Sequence, residues 1–218
     1  WRFFCRMPCF DLRNLVREHN PFRWSRLHAR AYNRYIGTER LHSPEALPVF
    51  VAATRLRDRQ QVVFNLNESD DPLRVLLATN YLPPFYTHAP VIDGERFGDG
   101  GFSNNLPYEA LFERGCDLVI AVAPKGENEG GLFRSPEDFD HVIPPAFSDR
   151  VVVIRPVQKL AVSFLERRWQ RLAPIIDLGA ERARQILLGE VEDQEPAGSP
   201  GLSLSLQALR FRQSVRAI

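Results

Sequence analysis

Residues Val91 to Pro107 read V-I-D-G-E-R-F-G-D-G-G-F-S-N-N-L-P, and this stretch carries the strongest local signals in the chain. Asp93-Gly94 lies between Val91-Ile92 and Arg96-Phe97 and is typical of a type I′ turn, so a tight hairpin is predicted there. Asp99 is followed at once by Gly100 and Gly101, and glycine permits both close approach of a ligand and positive φ. The stretch therefore predicts a carboxylate at the end of a hairpin, placed to act as a base toward a reacting group.

The elements around this hairpin predict strands that alternate with helices, which is typical of an α/β sheet. Before it we expect two helices with Asp11 and Asn20 as caps, two strands joined by a polar turn, and a helix opened by Asp71-Pro72. Their predicted ranges are 10–18 and 21–35 for the helices, 47–53 and 61–65 for the strands, and a short helix from 72 that ends before Pro83-Pro84.

After the hairpin the predicted elements are a helix over 107–113 ended by Gly115, and a continuous apolar strand over 117–123. Such a strand is expected at the centre of a sheet that is covered on both faces. A loop over 127–147, a buried strand over 151–154, and two helices over 157–172 and 175–190, separated near Pro174, follow. Residues 1–190 are interpreted as one domain, and 191–218, with its Pro, Gly and Ser, as a linker and tail.

Composition narrows the class of protein. The 218 residues are 44% hydrophobic and 25% charged, as in a globular protein, and the net charge of +1 gives no overall attraction for nucleic acid. Cys5, Cys9 and Cys116 make neither a disulfide framework nor a zinc pattern, so no metal is predicted. There is no signal-peptide pattern and no run long enough to span a bilayer. Because the chain starts at Trp1, we expect a fragment or processed product, and the location stays open between cytoplasm and membrane surface.

The order of these features resembles the C-terminal part of the patatin-like phospholipase domain. The matching pieces are P-V-F-V-A-A-T at 48–54, L-R-V-L-L-A-T-N-Y-L-P at 73–83, I-D-G at 92–94, G-D-G-G at 98–101, N-L-P at 105–107, G-C-D and its strand at 115–122, and G-A with R-A at 179–183. The resemblance implies a three-layer α/β/α fold, truncated here at its N-terminus. It also implies a lipid acyl hydrolase that acts on lipid or phospholipid acyl esters, with no cofactor.

In that family a serine and an aspartate form the catalytic dyad, and Asp99 matches the aspartate, with Gly100 and Gly101 completing its motif. No serine in the chain has glycine two positions away on both sides, so the G-x-S-x-G elbow is missing; Ser103 is the nearest serine. We expect the elbow and the glycine-rich oxyanion loop upstream of Trp1, and expect this chain alone to be inactive. The alternatives are a catalytically inactive module that binds lipid or protein, and an unrelated α/β protein with a fortuitous Asp-Gly-Gly.

Other residues receive weaker predictions. Asn104 and Asn105 are expected to support the Asp99 loop through local hydrogen bonds, Asp93 to form the turn, and His88 to lie at the surface or in packing. The basic segment 164–184 is interpreted either as a peripheral membrane contact or, preferably, as a solvated arginine face over an apolar stripe. The aromatic and arginine-rich segment 23–34 is a candidate lid over an apolar groove.

Overall fold

The computed structural model describes residues 10–125, 143–163 and 166–188, which form a mixed α/β structure. The chain divides into two compact units, Trp1–Pro107 and Tyr108–Ile218. The predicted loop over 127–147 lies mostly outside the described residues, as do Cys5, Cys9 and the predicted linker and tail over 191–218.

The described part of the first unit, residues 10–107, contains three helices and a four-stranded sheet. Its elements are α1 (Leu12–Glu18), α2 (Trp24–Tyr35), β1 (Phe50–Arg55), β2 (Gln61–Asn65), α3 (Pro72–Ala78), β3 (Val91–Ile92) and β4 (Glu95–Gly98), with 3-10 turns at Thr38–His42 and Gly100–Phe102. The sheet order is β2-β1-β4-β3, and all neighbouring strands are antiparallel. Thr54 of β1 lies opposite Gly98 of β4, so the central strand runs beside the residue that precedes Asp99.

The predicted hairpin over β3 and β4 is confirmed. Val91 pairs with Arg96 and Ile92 with Glu95 across the turn. Asp93 has φ 50° and Gly94 has φ 77°, and positive φ at both central residues is the requirement of a type I′ turn. The turn fixes the strand register and thereby the point at which the chain leaves β4 into Asp99.

Helix α3 begins as its sequence predicts. The Asp71 side chain accepts a hydrogen bond from the Arg74 N–H at 3.0 Å, and Pro72 occupies the first turn. The apolar face of α3 enters two clusters of buried side chains that also take residues from β4 and from the loops. These clusters consist of Leu41, Leu66, Val75 and Leu76, and of Ala53, Ala78 and Phe97.

The helix predicted over 10–18 is present, with Asp11 as its cap, but its buried residue is polar. Asp11 accepts from the Arg13 N–H at 2.9 Å. Asn14 is buried because its side chain donates to the carbonyls of Asn20 and Phe22, at 2.7 and 3.1 Å. Helix periodicity therefore identified the helix, and hydrogen bonding set which side faces inward.

The prediction that Asn20 caps the following helix is wrong. Helix α2 starts at Trp24, and the preceding Arg23 makes no side-chain cap bond. Asn20 instead accepts from the Phe22 N–H at 2.9 Å and donates to the Pro84 carbonyl at 2.8 Å. The side-chain oxygen that a helix cap would use is taken by the Phe22 N–H, ahead of the helix, while the amide nitrogen makes a tertiary contact.

The second unit contains α4 (Glu109–Phe112), β5 (Val119–Val122), a 3-10 turn at Pro145–Phe147, β6 (Val151–Ile154) and α5 (Trp169–Leu188). Strands β5 and β6 are parallel, with Val119 opposite Val151 and Val122 opposite Ile154. All four residues of β6 are buried, as predicted, and Ile186 of α5 packs against them.

Two predictions for the second unit are wrong. In β5 only Val119 and Ala121 are buried, whereas Ile120 and Val122 are exposed, so the described residues cover one face and not both. The predicted pair of helices is one helix, α5, which continues through Pro174; the described residues of 157–168 are not helical.

Helix α5 continues through a proline in spite of the hydrogen bond that is lost there. Pro174 lies in the second turn and is exposed, so the carbonyl four residues earlier, at exposed Gln170, can bond to water instead of to the missing N–H. None of the helices in the described ranges has the length and apolar character needed to cross a membrane.

Candidate functional site

Asp99 lies directly after β4 and caps the 3-10 turn Gly100–Phe102. Its carboxylate accepts a hydrogen bond from the Gly101 N–H at 2.8 Å. Its own N–H donates to the Tyr81 carbonyl at 3.1 Å, and its carbonyl accepts from the Thr54 hydroxyl at 2.7 Å. These bonds hold the Asp99 backbone at its N–H and at its carbonyl, and so fix the position from which the side chain extends.

Thr54 anchors the Asp99 loop to the central strand. It is completely buried in β1, and its hydroxyl also lies 2.8 Å from the Ser103 hydroxyl and 3.3 Å from the Gly100 carbonyl. Ser103 in turn donates to the Gly100 carbonyl at 3.2 Å. The serine nearest to Asp99 in sequence is therefore engaged in bracing the loop.

Close packing against backbone requires glycine at position 100, whereas a side chain at position 101 would displace the side chain of Asn105. A Cβ on Gly100 would lie 2.5 Å from the Ala52 carbonyl oxygen, and one on Gly101 would lie 2.5 Å from Oδ1 of Asn105. Neither glycine is among those with positive φ, so the freedom of φ that the sequence suggested is not used here. The loop lies directly on the backbone of β1, where a side chain at position 100 has no room.

Asn104 and Asn105 both bond within the same loop. Oδ1 of Asn104 accepts from the Leu106 N–H at 2.8 Å, and Nδ2 of Asn105 donates to the Gly101 carbonyl at 3.2 Å. The Asn104 N–H also donates to the Gly100 carbonyl at 3.0 Å. These bonds hold the loop against itself, so the Asp99 carboxylate projects from a stiff turn.

The surroundings of Asp99 favour its neutral form. Burial raises the pKa of the Asp99 carboxyl above its ordinary value, and the hydrogen bond from the Gly101 N–H opposes this in part. Within the described residues no ion pair involves Asp99. A desolvated carboxylate without a cationic partner is a stronger base than a solvated one, which suits proton abstraction.

An aromatic and amide cluster that sequence reasoning did not find lies beside Asp99. Nδ1 of His28 is hydrogen-bonded to the Tyr86 hydroxyl, and Nδ2 of Asn80 donates to the Tyr32 hydroxyl at 2.6 Å. The negative charge of Asp99 contributes to raising the pKa of both Tyr32 and Tyr86, although burial is the larger cause. We call His28, Tyr32, Asn80 and Tyr86 the tyrosine cluster. Only the aromatic content of segment 23–34 hinted at it.

The remaining candidates lie apart from this chemistry. Asp93 is an exposed turn residue and His88 is exposed. In segment 164–184, Arg168 and Arg171 pair with Glu166, and Arg184 pairs with Glu181. Phe164 and Leu165 of that segment lie outside the described residues. The described ranges contain no group of three or more His, Cys, Asp or Glu side chains arranged to hold a metal ion.

Models of known protein families and the sequences of curated proteins were compared with the chain, and neither comparison gives a match. The function is therefore argued from the geometry around Asp99 and from the sequence pattern that contains it.

Proposed function

We propose that this chain is the aspartate-bearing part of a patatin-like lipid acyl hydrolase with a three-layer α/β/α fold, truncated at its N-terminus. Asp99 would be the proton acceptor of a serine–aspartate dyad whose serine lies outside these 218 residues. The observation that carries the proposal is the Asp99 carboxylate itself. It is partly desolvated and accepts from the Gly101 N–H at the end of a hairpin, where the Thr54 hydroxyl and the Tyr81 carbonyl hold the Asp99 backbone.

The chemistry follows from what a serine hydroxyl needs. A hydroxyl is a weak nucleophile and requires a base within hydrogen-bonding distance to take its proton as it attacks the ester carbonyl. Asp99 would accept that proton and pass it to the leaving alcohol, which leaves an acyl-serine. In the second step Asp99 would take a proton from the water that attacks the acyl-serine and return it to the serine oxygen as the acid is released. Lipid or phospholipid acyl esters are the substrate class.

A catalytically inactive module that binds lipid or protein is the second candidate. It is favoured by one observation in this chain: no serine has the glycine spacing of a nucleophile elbow, and Ser103 is bonded to Thr54 and Gly100. In such a module Asp99 would serve as the cap of its turn through the bond from Gly101.

Ester hydrolysis by the natural full-length protein separates the two candidates. Asp99→Asn keeps the shape and the bond from Gly101 but removes the base, so the rate is expected to fall by about 10²–10⁴-fold. Asp93→Asn is the matched control, since Asp93 is an exposed turn residue and asparagine also tolerates positive φ. Equal rates in Asp99→Asn and wild type would contradict the enzyme proposal. The 218-residue chain alone is expected to give no turnover.

A further inference from the structure

The tyrosine cluster connects helix α2 to the Asp99 loop through a continuous set of contacts. His28 and Tyr32 lie one turn apart on α2, with their rings stacked at 6.0 Å between centroids. The His28 ring is 5.8 Å from that of Tyr86, to which it is hydrogen-bonded. The Tyr86 ring meets the Tyr81 ring edge-on at 5.9 Å.

Tyr81 carries this connection to the Asp99 backbone. Its carbonyl accepts the Asp99 N–H at 3.1 Å. The preceding residue, Asn80, donates to both the Tyr32 hydroxyl and the Leu76 carbonyl, at 2.6 and 2.9 Å. Residues 80 and 81 are therefore tied to α2 on one side and to Asp99 on the other. A shift of the Tyr86 ring would therefore act through Tyr81 on the backbone of Asp99.

The cluster is also uncharged near neutral pH. Burial lowers the pKa of His28 from 6.5 to about 4, and burial raises the pKa of both Tyr32 and Tyr86. The charge of Asp99 acts on Tyr32 of α2 and on Tyr86 of the segment after α3, and His28 contacts both tyrosines. Tyr86 is almost fully buried, with its ring between those of His28 and Tyr81.

We propose that His28 and Tyr86 form a positioning pair for Asp99. Their hydrogen bond fixes the Tyr86 ring against Tyr81, whose carbonyl holds the Asp99 N–H, and so sets the environment in which the carboxylate lies. The pair does not need to contact the substrate, and it acts through Asp99. The inference rests on the proposed role of Asp99 as a base and adds the residues that maintain its environment.

The test is the titration of the Asp99 carboxyl in the 218-residue chain, followed by ¹³C NMR. In wild type we expect Asp99 to titrate above 3.8, the ordinary aspartate value. Tyr86→Phe and His28→Leu each remove the hydrogen bond, so in both the Asp99 pKa should fall toward 3.8. His28→Gln keeps a neutral side chain that can bond to the Tyr86 hydroxyl, and should restore the wild-type titration.

Tyr35→Phe, at the exposed end of the same helix, is the control and should leave the Asp99 pKa unchanged. A purely structural role would lower stability in Tyr86→Phe and His28→Leu while Asp99 titrates as in wild type, and that result would overturn the proposal. So would an Asp99 pKa in His28→Gln that falls as far as in His28→Leu. Because the titration needs no catalysis, its outcome is independent of whether the full-length protein hydrolyses esters.

Discussion

In the described part of the chain, the polar residues that are buried as a whole lie in the unit Trp1–Pro107, and the unit Tyr108–Ile218 has none. Among the described residues, the three buried polar residues are Asn14, Asn20 and Thr54, and all belong to the first unit. The second unit buries the valines and isoleucine of β6, and its described ion pairs include those of exposed arginines with Glu166 and Glu181.

This difference indicates which unit depends on accurately placed polar contacts. A buried polar group costs free energy unless it is hydrogen-bonded, so a region that buries several must place each partner accurately. In the first unit one of those partners is the Asp99 carbonyl, which accepts from buried Thr54. The second unit has apolar packing against a parallel strand pair, which tolerates change more readily. Substitutions matched between the two units test this contrast.

The largest expected contrast is between two glycines changed to alanine. Gly100→Ala brings a Cβ to 2.5 Å from the Ala52 carbonyl and should cost about 3 kcal/mol of unfolding free energy, because strand backbone cannot give way. Gly179→Ala, in α5 with nothing within 4 Å of its Cβ, should stabilise by about 0.5–1 kcal/mol. Denaturant unfolding measures both changes. Similar changes in unfolding free energy for the two variants would contradict the proposed contrast between the two units.

The pH dependence of the unfolding free energy tests whether the first unit buries His28 in its neutral form. Its pKa is 6.5 when unfolded and about 4 when folded, so between these values the unfolded state binds the extra proton. The stability that depends on neutral His28 is complete above pH 6.5 and is lost as the pH falls toward 4, by up to about 3 kcal/mol. The measurement is the unfolding free energy of wild type minus that of His28→Gln across this range. A flat difference would contradict the burial of a neutral His28.

Removal of the Thr54 hydroxyl should cost about 1–3 kcal/mol of unfolding free energy. Thr54→Val keeps the shape of the side chain but leaves the Asp99 carbonyl and the Ser103 hydroxyl without this bond inside the unit. Ser148→Ala in the second unit removes an exposed hydroxyl that donates to the Pro145 carbonyl, and should change stability by less than about 0.5 kcal/mol. The measurement is denaturant unfolding. Equal losses of unfolding free energy in the two variants would contradict the role of Thr54 as the anchor of the loop.

The smallest expected effect has the opposite sign. Asp99→Asn removes a charge that burial disfavours and keeps an acceptor for the Gly101 N–H, so it should stabilise the chain by about 0.5–2 kcal/mol at neutral pH. The gain should disappear in acid, where Asp99 is protonated in both states. Thermal unfolding at several pH values measures it, with exposed Asp93→Asn expected to give no change. A loss of stability at neutral pH would show that the charged form is favoured after all.

Local sequence signals anticipated much of the backbone around the site. Asp93-Gly94 predicted the hairpin, Asp71-Pro72 predicted the start of α3, and the polar turn after β1 predicted its pairing with β2, because each signal acts within a few residues. Asp99 was placed correctly at the end of β4 for the same reason, because it follows the Asp93-Gly94 turn closely in sequence.

Features decided by distant contacts were not predictable in this way. His28 and Tyr86 are 58 positions apart, and nothing in either neighbourhood indicates their hydrogen bond. Asn20 reads as a helix cap but bonds to Pro84, 64 positions away. The continuation of α5 through Pro174 depends on exposure of that turn, which periodicity does not report. Long-range polar contacts of this kind are concentrated in the first unit, where they determine the environment of Asp99.

The acid limb of kcat/KM for ester hydrolysis by the natural full-length protein tests the role of Asp99 most directly. The rate should fall as the pH drops through the pKa of the free-enzyme base, and burial places this pKa above the ordinary value for aspartate. In Asp99→Asn that limb should vanish together with most of the activity. An Asp99→Asn protein that keeps both the wild-type rate and the same acid limb would contradict the assignment of Asp99 as the base.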